Sequence, residues 1–134
     1  KGVQLRDGDD AAILATGSLV TEAMAASEEL EEKNISTRVI NIHTIKPLDK
    51  DIILKAAEET KAIVTIEEHQ LNGGFGESVA TVILEDSEKS IPFKRIGIED
   101  VFCSFYGTYP EVKAHYNLTK ENLINQVTTL YKNK

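Results

Sequence analysis

The stretch Ala11-Ala12-Ile13-Leu14-Ala15-Thr16-Gly17-Ser18 is an unbroken apolar run closed by a glycine and a hydroxyl residue. A strand wetted on one face alternates apolar with polar residues. A continuous run marks a strand buried on both faces, as in parallel sheets covered by helices. Gly17-Ser18 ends the run, and Ser18 is expected to cap a helix. From Leu19 to Lys33, Val20, Ala23, Met24, Ser27 and Leu30 recur at helical spacing, while Glu28, Glu29, Glu31 and Glu32 fall elsewhere. That is an amphipathic helix, with Asn34 as its left-handed stop.

The same alternation of strand and helix extends outward. Thr37 to Ile42 is rich in β-branched residues and reads as a strand. Pro47-Leu48-Asp49 opens a helix running to about Thr60, with Asp49 as its cap, Leu48 and Ile53 as a hydrophobic staple, and Ile52, Ile53, Ala56 and Ala57 buried. Ala62 to Ile66 is another two-sided strand, followed by a loop from Glu67 to Gly74 and a helix from Phe75 to Leu84. Phe93 to Ile98 is the last strand. Helices over Pro110 to Tyr116 and about Lys120 to Tyr131, the latter capped by Thr119, close the chain. On the N-terminal side, Val3 to Leu5 is a short strand, and Arg6 to Asp10 reads as a tight turn to its neighbour, which predicts one antiparallel edge. The whole predicts an α/β domain with a mostly parallel sheet and helices on both faces.

Bulk properties bound the function. The 134 residues fit one domain over 1–134, with 41% hydrophobic and 28% charged residues, an ordinary globular balance. Acidic residues outnumber basic ones 22 to 15 for a net charge of −7, and no Lys/Arg stripe forms, which argues against a nucleic-acid partner. No apolar stretch reaches the ~18 residues of a membrane span. The lone Cys103 cannot form an internal disulfide, which suits a reducing cytoplasm. The chain starts at Lys1, not Met, which fits a piece of a longer protein.

Ligands in open parallel sheets gather outside the carboxyl ends of the strands. Gly17-Ser18, Ile42-His43-Thr44, Glu67-Glu68-His69 and Glu99-Asp100 sit there. The richest segment contributes Glu67, Glu68, His69, Gly73, Gly74, Phe75 and Gly76, a candidate interface or anion site. The glycines expose amides at a helix start that could hold an anion, but the two glutamates would repel a phosphate, so tight packing and capping is the weightier reading. The glycines are expected to adopt backbone angles costly for other residues or to permit close packing. Were the strand to continue through Glu67 and Glu68, they would point to opposite faces and could not share a substrate. A salt bridge or interdomain contact is the expected role of each. His43, His69 and His115 lack metal-site spacing. Ser18 lacks the second glycine of a nucleophile elbow.

Thr44-Ile45-Lys46-Pro47-Leu48-Asp49, Thr65-Ile66-Glu67-Glu68-His69, Gly73-Gly74-Phe75-Gly76 and Arg95-Ile96-Gly97-Ile98-Glu99-Asp100 together resemble the C-terminal domain of the transketolase family. The wording is most similar to the small subunit of split transketolases. The resemblance implies a three-layer α/β/α domain with a five-stranded mixed sheet and one antiparallel strand. It also implies a parent enzyme that transfers a two-carbon ketol unit between sugar phosphates, with the upstream transketolase domains or subunit as partners and a homodimer as the assembly. Related domains end 1-deoxyxylulose-5-phosphate synthase and the β subunits of 2-oxoacid dehydrogenases, which stand as the alternatives. Thiamine diphosphate and magnesium belong, by the same resemblance, to the preceding domains of the parent. These residues are expected to bind no cofactor and to have no catalytic or metal site of their own. Gly8-Asp9-Asp10 with Asn34 resembles the diphosphate motif of thiamine enzymes only loosely, because the third glycine is missing and the triplet precedes a strand. The family's Ser-Gly pair is also replaced in Cys103-Ser104-Phe105-Tyr106-Gly107.

Overall fold

The computed structural model describes residues 2–42, 48–70, 74–98 and 118–132. The expected helix over 110–116, the loop 99–107, residues 43–47 and Gly73 lie outside these segments, as do the side chains of His69 and Gln70. In chain order the described elements are β1 (Gly2–Arg6), β2 (Ala11–Ala15), α1 (Leu19–Glu32), β3 (Thr37–Ile42), α2 (Lys50–Glu59), β4 (Ile63–Gln70), α3 (Phe75–Asp86), β5 (Phe93–Ile98) and α4 (Lys120–Lys132). The sheet order is β1-β3-β2-β4-β5. β1 runs antiparallel to β3, and the remaining pairs are parallel.

The two-sided runs sort their side chains by parity, as the pleat requires. Ala11, Ile13, Ala15, Val39, Val64 and Ile66 pack beneath α1 and α4. Ala12, Leu14, Ile40, Ile42 and Ile63 pack beneath α2 and α3. The result is the three-layer α/β/α arrangement. Asn34 does take a left-handed φ of 65°, and Asp49 accepts from the Ile52 N–H at 3.3 Å. Thr119 likewise accepts from the Asn122 N–H at 3.2 Å. These are the caps that the turn residues called for.

Two expectations need correction. The antiparallel edge exists, but it is not a hairpin with the next strand: β1 pairs with β3. The turn is drawn over the start of β3, where a Cβ on Gly8 would lie 2.4 Å from the Thr37 carbonyl carbon. Only glycine allows backbones so close. Arg38 Nε then donates to the Gly8 carbonyl at 3.1 Å. The second correction concerns length. β4 does not stop at Ile66 but continues to Gln70, and α3 runs two residues past Leu84, to Asp86.

Candidate functional site

Among the described residues, the carboxyl end of the sheet is built from the Thr16-Gly17-Ser18 turn, the extended end of β4 and the first turn of α3. β4 and β5 stay in register through Ile66 and Ile96, then resume at Gln70 and Ile98. Four residue steps on β4 thus match two on β5, an irregularity that bends the longer strand and re-aims its side chains. Glu67 and Glu68 lie in that bend.

The alternation holds through it, so the two carboxylates leave on opposite faces. Glu67 is fully buried. The Phe75 N–H donates to Glu67 Oε1 at 2.8 Å, and the Gly76 N–H donates to Oε2 at 2.7 Å. These are two of the donors that a helix start leaves unmatched, and a negative group there also complements the helix dipole. Gly74, the formal N-cap, has no side chain to offer. Glu67 therefore caps α3 from inside the adjacent strand. The amides considered for an anion are occupied by the chain's own carboxylate.

Packing closes around this clasp. A Cβ on Gly76 would lie 2.6 Å from Thr65 Oγ1, 2.8 Å from Glu67 Oε2 and 3.0 Å from Arg95 Cγ. Gly76 is thus the glycine that permits close packing. Gly74, at φ −86°, has a backbone open to any residue, so the expected strain is not there. The Arg95 guanidinium reaches Glu77 Oε2 at 3.7 Å. Phe75, expected to suit an interface, is buried wholly within the chain's own core.

On the other face, Ser18 does not cap α1 with its side chain. Its hydroxyl donates instead to Glu68 Oε1 at 2.8 Å, in an exposed contact. Gly17, at φ +59°, makes the turn that allows it. Consecutive glutamates thereby tie β4 to the starts of two helices, α3 inside and α1 at the surface. Sequence reading missed Ser18 as Glu68's partner and Arg95 as part of the wall. Two adjacent charges, Lys94 and Arg95, interrupt the strand Phe93–Ile98, and by the alternation of the pleat one of them must turn toward a helix layer; that was the available signal for Arg95.

The sequence matches the family described as the transketolase C-terminal domain over residues 1–123. The chain belongs to that family. This transketolase C-terminal domain is 39% identical over 130 residues to a 1-deoxy-D-xylulose-5-phosphate synthase from Halothermothrix orenii, covering 97% of this chain and 20% of that protein. It is 37% identical over 124 residues to a 6-deoxy-6-sulfo-D-fructose transketolase subunit from a Clostridium species, covering 92% of this chain and 38% of that subunit. Among solved structures, a split-gene transketolase described as an inactive β4 tetramer superposes with a TM-score of 0.89 at 33% identity. The match covers 98% of this chain and 42% of that one. The chain thus spans between a fifth and about two fifths of these relatives.

The family raises thiamine diphosphate and magnesium as a test of the residues here. Among the described residues no group of three or more His, Cys, Asp or Glu is placed to hold a metal ion, and Glu67 already fills the amides that start α3. This set of described residues does not fit a magnesium diphosphate. No described helix is long and apolar enough to cross a membrane.

Proposed function

We propose that this domain completes a transketolase formed from separate subunits, the parent enzyme moving a two-carbon ketol unit between sugar phosphates. The observation that carries the reading is the superposition on the split-gene transketolase chain, at a TM-score of 0.89 over 98% of the domain. Two curated relatives are themselves subunits of transketolases, for 6-deoxy-6-sulfo-D-fructose and for apulose 4-phosphate. In this reading the remaining domains hold thiamine diphosphate and magnesium, and the C-terminal domain braces them. The exposed Ser18–Glu68 pair and the half-buried Gly74 provide a polar surface at the carboxyl end of the sheet for that contact, with His69 and Gly73 adjoining in sequence. The parent also associates with its own copies, in line with the β4 assembly of the related chain. A cytoplasmic site of action completes the proposal.

A second reading, a 1-deoxyxylulose-5-phosphate synthase, is favoured by the 39–40% identity to such enzymes over 97–98% of the chain. One experiment separates the two. The full protein, with any companion subunit and with thiamine diphosphate and magnesium, is assayed for ketol transfer from xylulose 5-phosphate to an aldose phosphate. Formation of 1-deoxyxylulose 5-phosphate from pyruvate and glyceraldehyde 3-phosphate, with release of CO2, is followed in parallel. Ketol transfer alone is expected; formation of the deoxy sugar alone would reverse the order of the readings.

A further inference from the structure

Between Ile66 and Gln70 the sheet ladder lets β4 go. Its pairing with β2 ends at Ala15 and Ile66, and its pairing with β5 skips from Ile66 to Gln70. A central strand is ordinarily held by backbone bonds to both neighbours. Along this bend two side chains hold it as well, Glu67 reaching inward to the start of α3 and Glu68 outward to the start of α1. Their Cα atoms stand about 3.8 Å apart across one planar peptide. A rotation of the bend that withdraws one carboxylate therefore swings the other.

The two arms differ in strength. The inner one is buried and takes short bonds from the Phe75 and Gly76 amides. Gly76 leaves it no slack, since a Cβ there would lie 2.8 Å from Glu67 Oε2. The outer arm is an exposed bond from the Ser18 hydroxyl at 2.8 Å. Gly17 stands close behind it, where a Cβ would lie 3.3 Å from Glu68 Oε1. The helix turn that this arm serves is loosely closed. The N–H groups of Leu19, Val20 and Thr21 reach the carbonyls of Thr16, Gly17 and Ser18 at 3.2, 3.3 and 3.4 Å, beyond the usual ~2.9–3.0 Å.

We infer that the bend of β4 couples the starts of α1 and α3 across the sheet, so that opening the exposed Ser18–Glu68 bond loosens the buried Glu67 clasp. Coupling of this kind needs an element whose arrangement both sites bias, and the bend is that element. It is reciprocal by thermodynamic necessity, so weakening the clasp must in turn loosen the first turn of α1. The exposed arm is the reachable one. A group that engages Ser18 or Glu68 at the surface thereby changes how firmly α3 is held inside. The coupling belongs to this domain alone and goes beyond the function proposed above; where the remaining domains meet this surface, it carries their contact inward.

The test is amide hydrogen exchange on the full protein, read at Phe75 and Gly76 relative to Ala12, Ile13 and Leu14 in the β2 core. Local opening of this kind is what exchange reports. Ser18→Ala should quicken exchange at Phe75 and Gly76 about 5-fold, the lower end of the range for coupled sites. Thr21→Ala, an exposed change on the same turn of α1, should leave both at the wild-type rate. In the reverse direction, Glu67→Gln should quicken Leu19, Val20 and Thr21 by a similar factor. Should Glu67→Gln fail to fold, Ser18→Ala carries the test by itself, and Glu68→Ala must reproduce its effect. Wild-type exchange at Phe75 and Gly76 in Ser18→Ala overturns the coupling. So does an equal quickening of the β2 amides, which marks general destabilisation, or a matching effect of Thr21→Ala.

Discussion

Glu67 is a buried carboxylate whose oxygens serve the chain's own amides. Both oxygens receive backbone N–H groups, at 2.8 and 2.7 Å, in a fully buried site. Glu67→Gln keeps the shape but turns an amide NH2 toward one of those donors, leaving it unmatched. Hydrogen bonds to charged groups contribute ~1.5–3 kcal/mol, so the variant should lose about that much in urea unfolding. Amide exchange at Phe75 and Gly76 should quicken more than in the β2 core. Its neighbour Thr65 makes the opposite case. Thr65 Oγ1 is buried without a hydrogen-bond partner, facing Gly76, where an added Cβ would lie 2.6 Å away. An orphaned hydroxyl costs ~1–3 kcal/mol, so Thr65→Val should leave stability unchanged or raise it by up to about 1 kcal/mol. A clear loss on melting would show that the hydroxyl is engaged. From sequence, Glu67 was recognisable as a residue at the ligand-bearing end of the sheet. Its partners were not, because the cap reaches backward from a strand eight residues upstream, and cap signals are read in the helix's own flank.

At the scale of elements, α4 is held at both of its ends by acidic groups from earlier in the chain. The Lys120 N–H donates to Glu22 Oε1 at 2.8 Å, its ammonium pairs with Glu29, and the Tyr131 hydroxyl donates to Asp10 Oδ1 at 3.1 Å. The bond to Asp10, then burial and the Asp10 charge raise the Tyr131 pKa above its ordinary 10.0. The bond to Glu29 and the Glu29 charge likewise raise Lys120 above 10.5. Both groups hold their protons more tightly folded than unfolded. Their contribution is therefore complete below those ordinary values and is lost as pH climbs through the raised native ones. Melting temperature should fall on the alkaline side of pH 10, and Tyr131→Phe should shrink that fall while lowering stability modestly at pH 7. An alkaline limb identical in Tyr131→Phe would locate it elsewhere. The sequence announced α4 through its period and its Thr119 cap. It could not announce the Asp10 contact, because the two residues lie 121 apart and only the folded chain brings them together.

For the molecule as a whole, the layers were legible and the strand order was not. The unbroken apolar run at 11–15, and the run at 62–66 with Thr65 as its one polar residue, cannot face water on either side, so the sandwich follows from them directly. A short turn after β1 suggested a hairpin, but the Gly8 approach to β3 and the buried Arg38, joining Gly8 to Glu59 at 2.9 Å, carry β1 past β2. Those are tertiary facts, carried by single residues rather than by a period. The same layering makes the last helix a structural necessity. Leu123, Ile124 and Val127 of α4 are buried against the face that α1 shares, beside Ala23 and Leu30. Each such side chain gains ~1.5–3 kcal/mol on burial, so deleting residues 120–132 forfeits on the order of 5–9 kcal/mol, as much as the full stability of many domains. It also bares the α1-side face of β4 and β5. The truncated chain should lose cooperative thermal unfolding and bind a hydrophobic dye at 25 °C. A sharp melt with native near-ultraviolet dichroism after the deletion would mean that α1 and the α2–α3 layer sustain the sheet without α4.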